Sequence, residues 1–325
     1  MVTFDSIQSF GMTFLNQMKE VFLGENSRLW WAWLILAFPA IGALVGAYEL
    51  KKGGQPITVR TLFRFVFPKE IYKSASFKND VIIVFSLYVL YALIIFLVAG
   101  AESKVIVGKM IQFFGTSDLM DRLQVSSYKK SLTLNLGTHL FFTFLVILAY
   151  DFGFTMLHYA FHKFPFLWRF HKVHHSAEHL TPLTVARFHL VEYVIMKVVE
   201  GLTLGFIFAI FFYLLPKGVD MYKVFGLSIF GIMFSSIGVF RHSHIWISYG
   251  FMNYIFSSPA MHQIHHSKEE RHIDKNLAQI FSFWDYLLGT LYVPKTREIF
   301  AVGLAGEEGW NEAQKRKALL THLKA

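Results

Sequence analysis

Three long stretches without a charged residue constrain this chain most: Leu29–Tyr48, Val81–Gly100 and Ser131–Tyr150. Each reaches the roughly 20 residues that an α-helix needs to cross the core of a bilayer. Backbone in hydrocarbon has no water to bond, so apolar runs of this length are helical. Gly201–Pro216 and Val224–Phe240 are shorter runs of the same kind. Charged residues make up 16% of the chain, against about 25% in an ordinary soluble domain. The expected fold is therefore all-α, an integral membrane bundle of four to five membrane helices. Pro39, Gly42 and Gly46 in the first run allow a kink or a re-entrant hairpin there. Polar Met1–Arg28 lacks the order of a cleavable signal, so Leu29–Tyr48 is expected to stay as an anchor.

The net charge of +9 does not make this a nucleic-acid-binding chain, because the basic residues form no stripe on a soluble face. Many of them fall in Glu49–Asp80, a short loop between two apolar runs. Such a loop reads as cytoplasmic by the positive-inside rule. Alternation then sends Val81–Gly100 out, leaves Glu102–Lys130 outside and brings Ser131–Tyr150 back. Tyr193–Pro216 leaves again, Lys217–Tyr222 turns and Lys223–Phe240 returns. Lys197 and Glu200 precede the fourth run, where a lysine stem can snorkel to the interface.

Eight of the fifteen histidines form three boxes: His158 and His162; His171, His174 and His175; His262, His265 and His266. The alternation puts all three boxes on one side of the bilayer. On a helix, residues three and four apart share a face. His158 and His162 therefore point the same way, and His171 shares a face with both of its partners. His174 and His175 diverge by about 100°, so one helical turn can feed two neighbouring metal ions. A lone histidine is ordinarily structural, but ionisable groups clustered beside a bilayer are costly and functional. The chain has no cysteine, which excludes thiolate zinc sites, iron–sulfur clusters and thiol catalysis. Any metal is held through nitrogen and oxygen. Asp151, Asp274 and Asp285 stand near enough in sequence to orient ring nitrogens from a second shell. His242 and His244 close the fifth run on the metal side. His139 lies about 28 Å of helix rise from His158 and reads as a polar contact, and His322 falls in the tail.

Asp151-Phe-Gly-Phe-Thr-Met-Leu-His158-Tyr-Ala-Phe-His162 and Leu167-Trp-Arg-Phe-His171-Lys-Val-His174-His175 resemble the fatty acid hydroxylase/sterol desaturase superfamily. So do Ser258-Pro-Ala-Met-His262-Gln-Ile-His265-His266, Asp274-Lys-Asn276 and Trp284-Asp-Tyr-Leu-Leu-Gly-Thr290. The resemblance covers about residues 145–295. It implies a helical membrane bundle capped on the cytoplasmic side by two iron ions that activate O2. The implied ligands are the eight box histidines with His242, and His189 by a looser match. Leu190 replaces a proline of the family pattern, Leu277-Ala278 an aromatic-glycine pair, and His244 an asparagine. These departures touch the subfamily and leave the ligand set whole.

The resemblance further implies a monooxygenase that hydroxylates or desaturates a membrane lipid, a sterol or a fatty-acyl lipid. Cleavage of an ether lipid or fatty aldehyde is the nearer alternative, and a non-enzymatic metal-binding membrane protein or transporter the farther one. Electrons come from an external cytochrome, ferredoxin or reductase, since the chain carries no Gly-x-Gly-x-x-Gly fingerprint. Zinc can replace iron in purified protein. The membrane is a bacterial inner membrane or the endoplasmic reticulum. Residues 1–130 are expected to form an N-terminal anchor, 131–295 the catalytic domain and 296–325 a cytoplasmic tail. Phe152, Phe154, Phe161, Phe164, Phe166, Trp168 and Phe170 line an apolar channel or form an interfacial belt.

Overall fold

The structure, a computed structural model, describes residues 33–99, 136–214, 223–224, 227–229, 233 and 238–304. The leader 1–28, the loop 102–130, the turn 217–222, most of the 224–240 run and the tail from 305, with His322, lie outside the described residues.

The described residues are mostly helical. A wide helical turn over Trp33–Ala37 runs into α1 (Phe38–Lys52), followed by α2 (Val59–Val66), α3 (Lys69–Tyr72) and α4 (Ala75–Ala99). Next come α5 (Leu136–Lys163), α6 (Pro165–His175) and α7 (Leu190–Leu214). Two-residue strands β1 (Lys223–Val224) and β2 (Leu227–Ser228) pair antiparallel. The fifth apolar run therefore does not open as the helix expected from its composition. The short helices α8 (Pro259–His265) and α9 (Phe283–Leu288) complete the chain. Among the described residues, Trp33–Lys52 and Leu136–Lys163 are long and apolar enough to cross a membrane.

Pro39 sits in the first turn of α1, where its missing N–H costs nothing. The glycines of α1 serve close packing. A Cβ on Gly46 would stand 2.7 Å from the Phe65 ring of α2, and one on Gly42 would stand 3.0 Å from Ile245. α1 thus lies tightly on α2, around a core of Phe38, Val66, Val239, Phe240 and Ile245.

The chain divides into two compact units. One comprises Met1–Leu29, Tyr88–Gly153 and Lys197–Phe234; its core is Phe142, Val146 and Phe211, with the Phe142 and Phe211 rings 4.6 Å apart. The other comprises Trp30–Leu87, Phe154–Met196 and Ser235–Ala325, and it holds every box histidine. Within it a buried ion pair, Arg187 to Asp80 at 2.8 Å, ties the segment after α6 to α4. Thr181 and Thr184 donate to the same carboxylate, and Arg187 also donates to the Val173 carbonyl and the Ser176 hydroxyl. With these partners the buried charges are matched rather than stranded.

Candidate metal centre

The three boxes and His242 converge into two groups of rings. His158, His162, His171, His175 and His265 form one; His174, His242, His262 and His266 form the other. Within each group one ring nitrogen from every residue lies within 4.8 Å of all the rest. Helical spacing explains the sorting. His171 and His175, four apart on α6, enter the first group, while His174 between them turns to the second. The last box inverts this: His262 and His266 go to the second group and His265 to the first.

The outer ring nitrogens reveal what the inner ones are for. His158 Nδ1–H donates to the Leu277 carbonyl at 2.7 Å, and His265 Nδ1–H to the Lys275 carbonyl at 2.9 Å. His171 Nδ1–H donates to Glu192 at 2.6 Å, and His162 Nδ1–H to Asp274 at 3.2 Å. A carbonyl or carboxylate can only accept, so the proton of each neutral ring sits on Nδ1 and Nε2 is a bare lone pair. Yet His158 Nε2 lies 3.0 Å from His171 Nε2, two lone pairs facing each other. Nε2 of His162 and of His265 is buried with no hydrogen-bond partner. Such an arrangement repels itself unless a cation lies between the nitrogens. The second group shows the same crowding, with His242 Nε2 3.1 Å from His174 Nε2 and 2.8 Å from His262 Nε2. A cysteine-free set of neutral imidazoles fits iron, zinc, copper or nickel.

The electrostatics agree. Burial holds His171, His174, His175, His262, His265 and His266 well below the usual imidazole range, and neighbouring rings push the same way. Burial, with the Arg241 charge second, brings His242 down to about 3. At neutral pH these rings are uncharged, the state that a ligand requires. Hydrogen bonds from His162 and Lys163 hold Asp274 at about 2, an acceptor at all ordinary pH.

One loop supplies much of this. Asp274 and Asn276 adopt left-handed backbone, φ 58° and 56°, which short polar side chains tolerate best. Asn276 bonds the Met261 carbonyl and the Tyr292 N–H. Asp285 accepts from the N–H groups of Leu277 and Ala278 and from Thr290. Gly289, at φ 71°, ends α9 so that Thr290 folds back on Asp285. The carbonyls of Lys275 and Leu277 are thereby aimed at His265 and His158. Of the expected second-shell carboxylates, Asp274 meets a ring directly, Asp285 acts through the loop backbone, and Asp151 is fully buried on α5.

His189 stands apart from the other expected ligands. It belongs to neither group; its Nδ1 accepts from Val191 N–H at 3.1 Å, capping the start of α7. Glu192, three residues on, accepts from the His189 backbone N–H. The reciprocal pair is built like a capping box, and it holds Glu192 against His171. The sequence alone leaves Glu192 open between a carboxylate behind a histidine and a charge at the membrane interface; the His-x-x-Glu spacing at a helix start was the available signal. Arg241, one residue before His242, was missed: it is buried and donates to His262 Nδ1 at 2.7 Å. His244 donates to the Phe65 carbonyl and His272 bonds Ser267, so both brace loops.

The aromatic residues divide. Phe161 is buried and stacks on His171, and the half-buried Trp168 lies 5.1 Å from His162 and 5.3 Å from His175. Phe164 and Phe166 are exposed, as an interfacial belt would be. An open cleft of about 530 Å³, lined by His162, His175, His265, Trp168, Arg169 and Lys172 among others, reaches the first group only.

Residues 143–290 match the family model described as fatty acid hydroxylase. The ornithine lipid hydroxylase OlsE of Rhizobium tropici is 30% identical over 157 residues, 48% of this chain and 44% of that protein. Alkylglycerol monooxygenase of Danio rerio is 26% identical over 156 residues, 48% of this chain and 31% of that protein. The Caenorhabditis elegans alkylglycerol monooxygenase is 23% identical over 158 residues, 49% and 28% respectively. The chain spans less than half the length of these curated relatives. No solved structure matches it.

Proposed function

We propose that this chain, which belongs to the fatty acid hydroxylase superfamily through residues 143–290, is a membrane oxidoreductase that hydroxylates an unactivated carbon of a polar lipid. The two groups of buried rings carry the proposal, because four inward nitrogens of the first group are bare lone pairs with a use only toward a cation and the second gathers four more buried rings. Site A would be held by His158, His162, His171, His175 and His265, and site B by His174, His242, His262 and His266. When bound, two ferrous ions supply, with O2 and a pair of external electrons, an oxidant able to replace a C–H hydrogen by hydroxyl, the other oxygen leaving as water.

The chain's own share is positional. Backbone carbonyls and two carboxylates fix the tautomer and tilt of four site A rings, so no proton has to leave before a metal is met. Phe161 stacks on His171 and Trp168 packs on His162, which holds these site A rings in place. Arg187 and Asp80 hold the segment after α6. The electrons come from a separate donor protein, and Arg169 and Lys172 at the cleft mouth suit an acidic one. The expected cytoplasmic site would put that donor in the cytoplasm.

Relatives named for an ornithine lipid and for alkylglycerols support a lipid with a small polar headgroup over a sterol. The alkylglycerol monooxygenases favour a second reading, ether cleavage, which begins with the same step. A hydroxyl placed on the carbon beside an ether oxygen gives a hemiacetal, which falls apart into an aldehyde and an alcohol. Lipid profiling of cells with and without the protein tests both. One lipid class should gain one oxygen, or lose its ether chain as aldehyde, and His265→Ala should abolish the change. An unchanged lipid profile from cells making iron-loaded protein would refute the proposal.

A further inference from the structure

We propose that the two sites are unequal by construction: site A binds metal tightly and fills first, and Arg241 makes site B the weak site. The inference rests on the reading of the histidine groups as two metal sites and goes on to their order. The groups standing behind the rings differ in polarity between the two sites. In site A, His171 and His162 are backed by the carboxylates of Glu192 and Asp274, and His158 and His265 by carbonyls. Every one of these partners accepts from Nδ1, which pushes electron density toward Nε2 and raises its strength as a donor. Asp274, held ionised, also sets negative charge beside an incoming cation.

Site B is backed the other way. Arg241 Nη2 donates to His262 Nδ1 at 2.7 Å and to the Ala278 carbonyl at 2.8 Å, and Nη1 donates to the Gln279 carbonyl. A guanidinium has only donors and keeps its charge. His262, accepting at Nδ1, therefore carries its proton on Nε2, and that proton must leave before the atom can meet a metal; the guanidinium also places a fixed positive charge one ring away from a second cation. Behind His242 stands only the Gly238 carbonyl at 3.3 Å, and behind His174 only the Arg187 backbone; neither brings a carboxylate. Asp285 lies within electrostatic reach of Arg241 but spends its oxygens on Leu277, Ala278 and Thr290. Access points the same way as affinity. The cleft is lined by His162, His175 and His265 of site A and by no histidine of site B, so an ion entering by this cleft meets site A first.

The test is a titration of metal-stripped full-length protein in detergent with Co2+, followed by its visible absorbance and by metal content after dialysis. The wild type should bind in two steps, the second at least about tenfold weaker and lost first on dialysis. His265→Ala should remove the tight step and His266→Ala the weak one. Glu192→Gln keeps an acceptor and removes the charge; it should weaken the tight step about 10- to 100-fold and spare the other. Arg241→Met should tighten the weak step. Two steps of equal affinity in the wild type, or a Glu192→Gln protein weakened in both alike, would overturn the proposal. Should Arg241→Met fail to fold, the Glu192→Gln result decides alone. Protein that binds no cobalt at all would instead refute the metal-site reading itself.

Discussion

Asn276 shows how much of the site rests on a residue that touches no metal. Its left-handed backbone and its two side-chain hydrogen bonds set the loop that presents carbonyls to His265 and His158. Asn276→Ala is expected to cost roughly 2–4 kcal/mol, from buried groups left unpaired and from the left-handed strain of a Cβ residue. Its melting temperature should fall, and the tight cobalt step should weaken with it. Asn276→Gly, which relieves only the strain, should recover a minority of the loss. At this scale the sequence was legible in part. Asp274 was read as a carboxylate behind a histidine, and it stands 3.2 Å from His162 across 112 positions of chain. Glu192 stayed open between the two readings and Arg241 went unread, because a charge at the end of an apolar run has the same local pattern whether it meets lipid headgroups or a buried ring.

Between elements, the glycines of α1 answer a question that composition left open. Pro39, Gly42 and Gly46 permit a kink, but α1 runs unbroken over Phe38–Lys52 and uses Gly42 and Gly46 to approach Val66, Ile245 and Phe65. Gly46→Ala should therefore destabilise by roughly 1–3 kcal/mol through overpacking against Phe65. Phe65→Leu in the same background should return most of it, as a double-mutant cycle on thermal melting would record. An equal loss with and without Phe65→Leu would place the cause elsewhere. The histidine helices teach a related lesson. Spacing predicted that His174 and His175 diverge, and they do. It left His171 equally near both partners, and packing chose the residue four positions on.

For the molecule as a whole, the site ties stability to pH. The six rings held low by burial have an unfolded value of 6.5 and bind protons in the folded state only far below it. Above 6.5 both states are neutral and stability is flat. Below it the unfolded chain takes up protons that the folded site refuses, so each ring lowers stability by up to about 1.4 kcal/mol per pH unit. Metal-free protein should thus lose its melting temperature steeply as pH falls below 6.5, while metal-loaded protein resists until protons displace the ions. A flat acid profile for the metal-free form would mean that the rings are not buried together. Apolar length, the absence of cysteine and the three-and-four spacing of histidines are local properties, so the sequence by itself determined long apolar helices and histidines that share helix faces in sets of two and three. Which rings share an ion, and whether a carboxylate or a guanidinium stands behind each, depends on contacts between residues far apart in the chain. Only tertiary packing brings such residues together, and so only the folded structure decided that the two sites differ.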